Sequence, residues 1–212
     1  MIPETVKIGS VEYAVIREGV IDSEPDLLGR LNVRRGCIKL RKDLSPAQAP
    51  QTLLHEILHC IEWHCGMQHG ETVVQILTDV IQRNLAVFAG TTQLPDVVDI
   101  VGLQFAVVQV DALKDACGDE DESAAVDFNP SQCCLRVVAG TLQYMMSALV
   151  AAVCVCASGM MSLGLSEKEA RRVGRLVHQV LRDNPSLWES QIPAERPSAK
   201  RRRHKPDAPK AA

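Results

Sequence analysis

Apolar and polar positions along the chain begin in a strand-like rhythm. Residues 6–16 are rich in β-forming side chains, and Leu31 and Val33 alternate with polar neighbours before Arg34, Arg35 and Gly36 supply a turn. Ile38 and Leu40 then resume the alternation, which predicts a hairpin. The rhythm next lengthens. Leu54, Ile57, Leu58 and Ile61 recur at helical spacing and predict a helix over residues 51–65, ended by Gly66. Ser45 followed by Gln48 has the form of a capping box, and Pro46 suits a first helical position. Pro50 sets the regular part of the helix to begin only just before it. A second helix is predicted over residues 70–88, with Val74, Leu77, Val80, Ile81 and Leu85 on one face. The short loop between the two makes them antiparallel neighbours.

The second half of the chain repeats this plan. Tyr13-Ala14-Val15 answers to Phe105-Ala106-Val107, and Ile38 and Leu40 answer to Leu135 and Val137. Glu71, Val74, Leu77, Val80, Ile81 and Leu85 answer, at one constant shift, to Glu167, Ala170, Val173, Leu176, Val177 and Leu181. The pattern predicts an α+β protein built by internal duplication. Each unit would be a small antiparallel sheet packed on a helical hairpin, with units at 1–90 and 97–190, a linker around 90–96 and a disordered basic tail at 191–212. The acidic run Asp119-Glu120-Asp121-Glu122 reads as a surface-loop insertion in the second unit. Residues 137–166 carry no charge and are long enough to span a bilayer. Gln143, Gly159, several serines and many alanines argue instead for a buried counterpart of the first helix.

Composition modifies this picture in three places. Aromatics are scarce, so packing rests on Val, Leu, Ile, Ala, Met and Cys. The first residues lack a charged segment followed by an apolar one, so no secretory signal is expected, and the eight cysteines read as reduced thiols of a cytoplasmic protein. The net charge is −3, of which about +5 lies from Ser198 onward, leaving about −8 on the body. The run Lys200-Arg201-Arg202-Arg203-His204-Lys205 could attract nucleic acid nonspecifically, act as an import signal or serve only as a solubilising end. Sequence-specific recognition is unsupported without aromatics or a groove.

The sharpest chemistry lies in Leu53-Leu54-His55-Glu56-Ile57-Leu58-His59-Cys60, which contains H-E-x-x-H. Residues four apart share a helix face, so His55 and His59 can hold one Zn²⁺, with Glu56 beside them as general base for a zinc-bound water. The bland alternative is two solvated histidines on a helix face. A third protein ligand is required, and Glu71, Asp79, His64 and His69 are all candidates. If the loop is centred near Met67 and Gln68, the helical register favours Asp79. Cys60, His64 and Cys65 are poorly spaced for a second tetrahedral site, cysteine being a frequent core residue, and Cys133, Cys134, Cys154 and Cys156 likewise read as small core or strand residues. The strand of residues 37–41 could receive a substrate as an added strand, or could serve ordinary sheet pairing.

From Leu31 through the His55 helix to Leu85, less than half the chain, the sequence resembles the small phage and mobile-element zinc metallopeptidases allied to the ImmA/IrrE group. Members place a strand hairpin before H-E-x-x-H and a glutamate near the start of the next helix. Carried over residue by residue, His55 and His59 match the zinc ligands, Glu56 the general base and Glu71 the third ligand. The resemblance implies a zincin-like hydrolase, a zinc metalloendopeptidase whose substrate is a peptide or protein such as a transcriptional repressor or other regulatory protein. The positions answering to His55, Glu56 and His59 in the second unit are Ala151, Ala152 and Val155, so that unit would be a degenerate copy without zinc ligands. The rival expectation is a non-enzymatic, zinc-stabilised interaction protein whose tail attracts nucleic acid, with His64 or His69 closing the site. A membrane-anchored peptidase is a third.

Overall fold

The computed structural model describes residues 2–90, 92–113, 126–129 and 132–188. The acidic run Asp119–Glu122 and the basic tail lie outside the described residues. The protein is α+β, with two small mixed sheets and five α-helices among the described residues.

The first half opens with strands β1 (Thr5–Ile8) and β2 (Val11–Glu18), an antiparallel pair joined by a tight turn. The predicted hairpin follows as β3 (Gly29–Asn32) and β4 (Cys37–Arg41), with a short 3-10 turn at Val33–Arg35 between them. The sheet order is β1-β2-β4-β3, and β2 runs parallel to β4. The expected wholly antiparallel sheet is therefore a mixed one. The cause is burial: β4 carries Cys37, Ile38 and Leu40, all buried, whereas β3 carries the exposed Arg30. The more apolar strand of the hairpin takes the interior place, which sets it alongside β2 in the same direction. Strand β4 is consequently paired on both flanks and has no free edge for a substrate; the edge strands are β1 and β3.

Helix α1 (Gln48–Cys65) begins two residues later than a cap at Ser45 predicts, with Ala47 as its N-cap and no side-chain cap there, although the Ser45–Gln48 pair forms just ahead of it. The Gln48 N–H donates to Ser45 Oγ and the Ser45 N–H to Gln48 Oε1, each at 3.2 Å. Helix α1 ends at Gly66 in the left-handed conformation. The predicted second helix is two helices, α2 (Glu71–Arg83) and α3 (Leu85–Gly90), interrupted at Asn84. The Asn84 side chain donates to the carbonyls of Val80 and Asp99 and accepts from the Asp99 N–H, so it ends the helix by clasping the second sheet.

In the second half, β5 (Val97–Ile100), β6 (Leu103–Val110), β7 (Val126–Asn129) and β8 (Cys134–Val138) form a sheet of order β5-β6-β8-β7. The register repeats as well: Ala14 faces Cys37 in the first sheet, and Ala106 faces Cys134 in the second. Helices α4 (Leu142–Met161) and α5 (Glu167–Asp183) follow. Helix α5 is four residues longer than α2, and its terminating Asn184 exchanges hydrogen bonds with the backbone of Lys7 in β1. Each half thus holds the edge strand of the other through one asparagine, and both contribute to one continuous apolar core.

Helix α4 occupies the uncharged stretch and is long and apolar enough to cross a membrane by length and composition. In this fold 67% of its most apolar window is buried. Its neighbours α5, α2, β5, β7 and β8 surround it, which accounts for a helix without a polar face.

Candidate metal centre

Helix α1 packs against β3, and its solvent-facing stripe carries His55 and His59 one turn apart. Their Nε2 atoms are 3.2 Å from each other. Glu71, the first residue of α2, completes the group, with Oε1 2.6 Å from His55 Nε2 and Oε2 3.2 Å from His59 Nε2. One ligand atom from each of the three residues lies within 4.8 Å of the others. Two ligands held at about 2.05 Å by a tetrahedral ion stand about 3.3 Å apart, a spacing matched by the two 3.2 Å separations, whereas the 2.6 Å between His55 and Glu71 is that of a direct hydrogen bond and would have to open by several tenths of an ångström around an ion.

Asp79, which the simple register argument favours, is elsewhere. It accepts from Gln51 at 3.2 Å and Gln75 at 2.9 Å. The register argument fails because α2 does not begin at the loop's centre. Cys65 lies roughly 9 Å beyond His59 and 15 Å beyond His55 along α1, at 1.5 Å per residue. The connecting residues 66–70, reaching up to about 3.3 Å each, return along that length before α2 starts. Gly70 is extended, consistent with that path. The first residue of α2 therefore meets the histidines.

Glu56 is buried at 7% exposure between α1 and β3 and accepts from the Leu31 N–H. Burial pushes its carboxyl up to about 7, against the opposing pull of His59 and of that hydrogen bond. Gly29 makes this position possible. A Cβ there would stand 2.7 Å from Glu56 Oε1 and 2.7 Å from Thr52 Cγ2. No sequence pattern singles out Gly29, because the close approach joins residues on two different elements.

Glu62 is a further site residue that motif reading passes over, although its spacing three after His59 puts it on the same helix side. Its Oε2 is 3.4 Å from His59 Nδ1, and it is nearly buried. That contact, foremost among the neighbouring carboxylates, holds His59 above the usual histidine range despite partial burial. It also fixes the ring so that Nε2 faces Glu71, the arrangement in which a carboxylate orients a metal-binding imidazole.

The other candidates separate from the group. His64 lies on the opposite side of α1 with Nε2 2.9 Å from the Tyr13 hydroxyl. His69 lines the same cleft but is not one of the three converging residues. Cys60 is fully buried beside Tyr13, and burial pushes its thiol up to about 11, which opposes a thiolate ligand. Cys154 and Cys156 are fully buried in α4. Cys133 and Cys134 are half-buried where β8 begins.

The group sits at the junction of two hollows. A cleft of about 900 Å³ runs over His55, Glu56, His59 and Glu71, with β3 as one wall and the exposed Trp63 on its rim. A smaller hollow of about 400 Å³ continues on the far side of Gly29 and Glu56, toward Gln51 and Gln75. The two hollows share Leu27, Gly29, His55, Glu56 and Glu71 in their linings and so adjoin as one trough beside the ligand-type residues. Comparison with protein-family models, with curated proteins and with solved structures returns no match.

Proposed function

We propose that the chain is a zinc-dependent metallopeptidase in which His55, His59 and Glu71 hold the ion and Glu56 is the general base. The observation that carries this reading is the convergence of three ligand-type side chains from two helices beside a buried carboxylate. When bound, zinc supplies Lewis acidity that polarises a peptide carbonyl and acidifies water. Glu56 takes the proton of the attacking water and delivers it to the departing amine. A carboxyl raised to about 7 exchanges protons readily near neutral pH, which suits both roles. Glu62 keeps the His59 ring aligned.

The trough suits an extended peptide, and edge strand β3 offers backbone groups along one wall. The likeness to ImmA/IrrE-type peptidases suggests a regulatory protein as substrate. The zincin-like pair α1–α2 and the matching register of the two sheets support a duplicated origin. The second copy, with Ala151, Ala152 and Val155 at the answering positions, then serves packing. It supplies α4 and α5 to the shared core.

The reading is tested by incubating the zinc-loaded full chain with an unfolded protein substrate. Cleavage should appear, cease on adding 1,10-phenanthroline and return with added Zn²⁺; cleavage indifferent to the chelator contradicts it. Gly29→Ala gives a sharper test. Of the obstructing atoms only Glu56 Oε1 ends a flexible side chain, while Thr52 Cγ2 belongs to a β-branched residue held within α1 and Glu56 Cγ stands at 3.0 Å, so stability should fall by about 1 kcal/mol. The Glu56 carboxylate must move, however, and the loss of its position should lower kcat by about 10²-fold with metal content unchanged. Wild-type kcat in this variant would show that the packing of Glu56 on β3 is immaterial.

A further inference from the structure

We propose that the face of α5 turned toward the β1–β2 turn is a docking groove for an acidic peptide segment that carries an apolar side chain. The groove is separate from the metal centre. At 100° per residue, Ile61 projects about a third of a turn and His64 about half a turn around α1 from His55, so the groove opens on a different side of that helix.

The cavity measures about 890 Å³. Its floor is apolar: Ile8 and Ile61 are buried, Leu176 is half-buried, and Val11 remains 37% exposed. The rim is cationic. Lys168, Arg171, Arg172 and Arg175 fall at spacings of three, four and seven along α5, which brings all four to the same face. Glu167 is the one carboxylate lining the groove and is already held by Arg171 at 2.6 Å. Arg172 donates to the Cys65 carbonyl at 3.2 Å. Lys168 and Arg175 are exposed and make no ion pair among the described residues.

Two arguments choose the occupant. The body of the protein carries about −8, so four cations around one hollow run against the prevailing sign and attract an anionic chain. A nucleic-acid strand would satisfy the rim but not the floor, since the one exposed ring lining the groove, His64, is tied through Nε2 to the Tyr13 hydroxyl and a phosphate backbone has nothing to set against Ile8, Val11 and Leu176. An acidic peptide with a leucine-like side chain meets both surfaces.

The test uses the full chain and a fluorescein-labelled peptide of glutamates with two leucines, followed by anisotropy. Binding is expected to weaken by about tenfold or more in the double variant Lys168→Glu/Arg175→Glu, and when the two leucines are replaced by serine. Ser10→Glu, an exposed turn position on the opposite wall, should produce a comparable loss, and it decides the matter if the double variant fails to fold. Zinc content should be the same in all variants, since none touches the metal centre. Wild-type affinity in Ser10→Glu and in a folded double variant would assign the binding to the basic tail and overturn the proposal. So would displacement of the peptide by a single-stranded oligonucleotide that itself depends on Lys168 and Arg175.

Discussion

Glu56→Gln is expected to lower kcat by about 10²–10⁴-fold while zinc remains bound. The substitution is nearly isosteric, and the amide oxygen can still accept from the Leu31 N–H. It removes only the capacity to take up a proton. Because the carboxylate is nine-tenths withdrawn from water, neutralising it also relieves a desolvation cost, so the thermal midpoint should stay the same or rise. Steady-state cleavage assays, metal analysis and a melting curve on one preparation separate the possibilities. Loss of turnover together with loss of zinc would mean that Glu56 matters for the site's integrity instead. Unchanged turnover would remove it from the chemistry.

The largest stability effect should come from Gly174, on α5 and outside the His55–His59–Glu71 group. Helices α4 and α5 approach so closely there that a Cβ would stand 2.4 Å from Ala151 Cα, 2.7 Å from its nitrogen and 2.8 Å from the Val150 carbonyl oxygen. All three are backbone atoms, so no side-chain rotation relieves the clash, and the helices must separate. Alanine is favoured over glycine within a helix by about 1 kcal/mol, but overpacking of this kind costs about 1–3 kcal/mol and sometimes more. The clash should prevail. Gly174→Ala is expected to lose about 2 kcal/mol net, a fall in Tm of roughly 4–8 °C for a chain of this size. Gly174→Val should be worse. A melting temperature equal to the wild type's would mean that α4 and α5 do not meet as closely as described.

The contrast with Gly29 marks what a single sequence reveals and what it hides. Local rules carried far: Ser45 and Gln48 announce the approach to α1, though its N-cap falls at Ala47, Gly66 announces its end, and the alternation around Leu31 and Ile38 the β3–β4 hairpin. The pairing of His55 with His59 follows from helical geometry alone. What stayed hidden depends on contacts between distant segments. Nothing near β4 announces that it lies between β2 and β3, and hence that the sheet is mixed. Asn84 reads as an ordinary position within an amphipathic run until its partner, Asp99 in the other half, is in place. Glu71 lies beside the histidines because residues 66–70 double back along α1, a path that helical register counting does not contain. Gly29 and Gly174 look alike in the sequence, yet one accommodates a side-chain carboxylate and the other a helix backbone.

The account rests on a single divalent ion shared by His55, His59 and Glu71. The most direct measurement is the metal content of the purified full chain after zinc loading and exhaustive dialysis, wild type against His59→Ala. One zinc per chain in the wild type, with less than about a tenth of that in the variant, is the predicted result, since removing one of three protein ligands leaves too few to retain the ion. A wild-type protein that emerges free of zinc, or a variant that keeps a full equivalent, would contradict it.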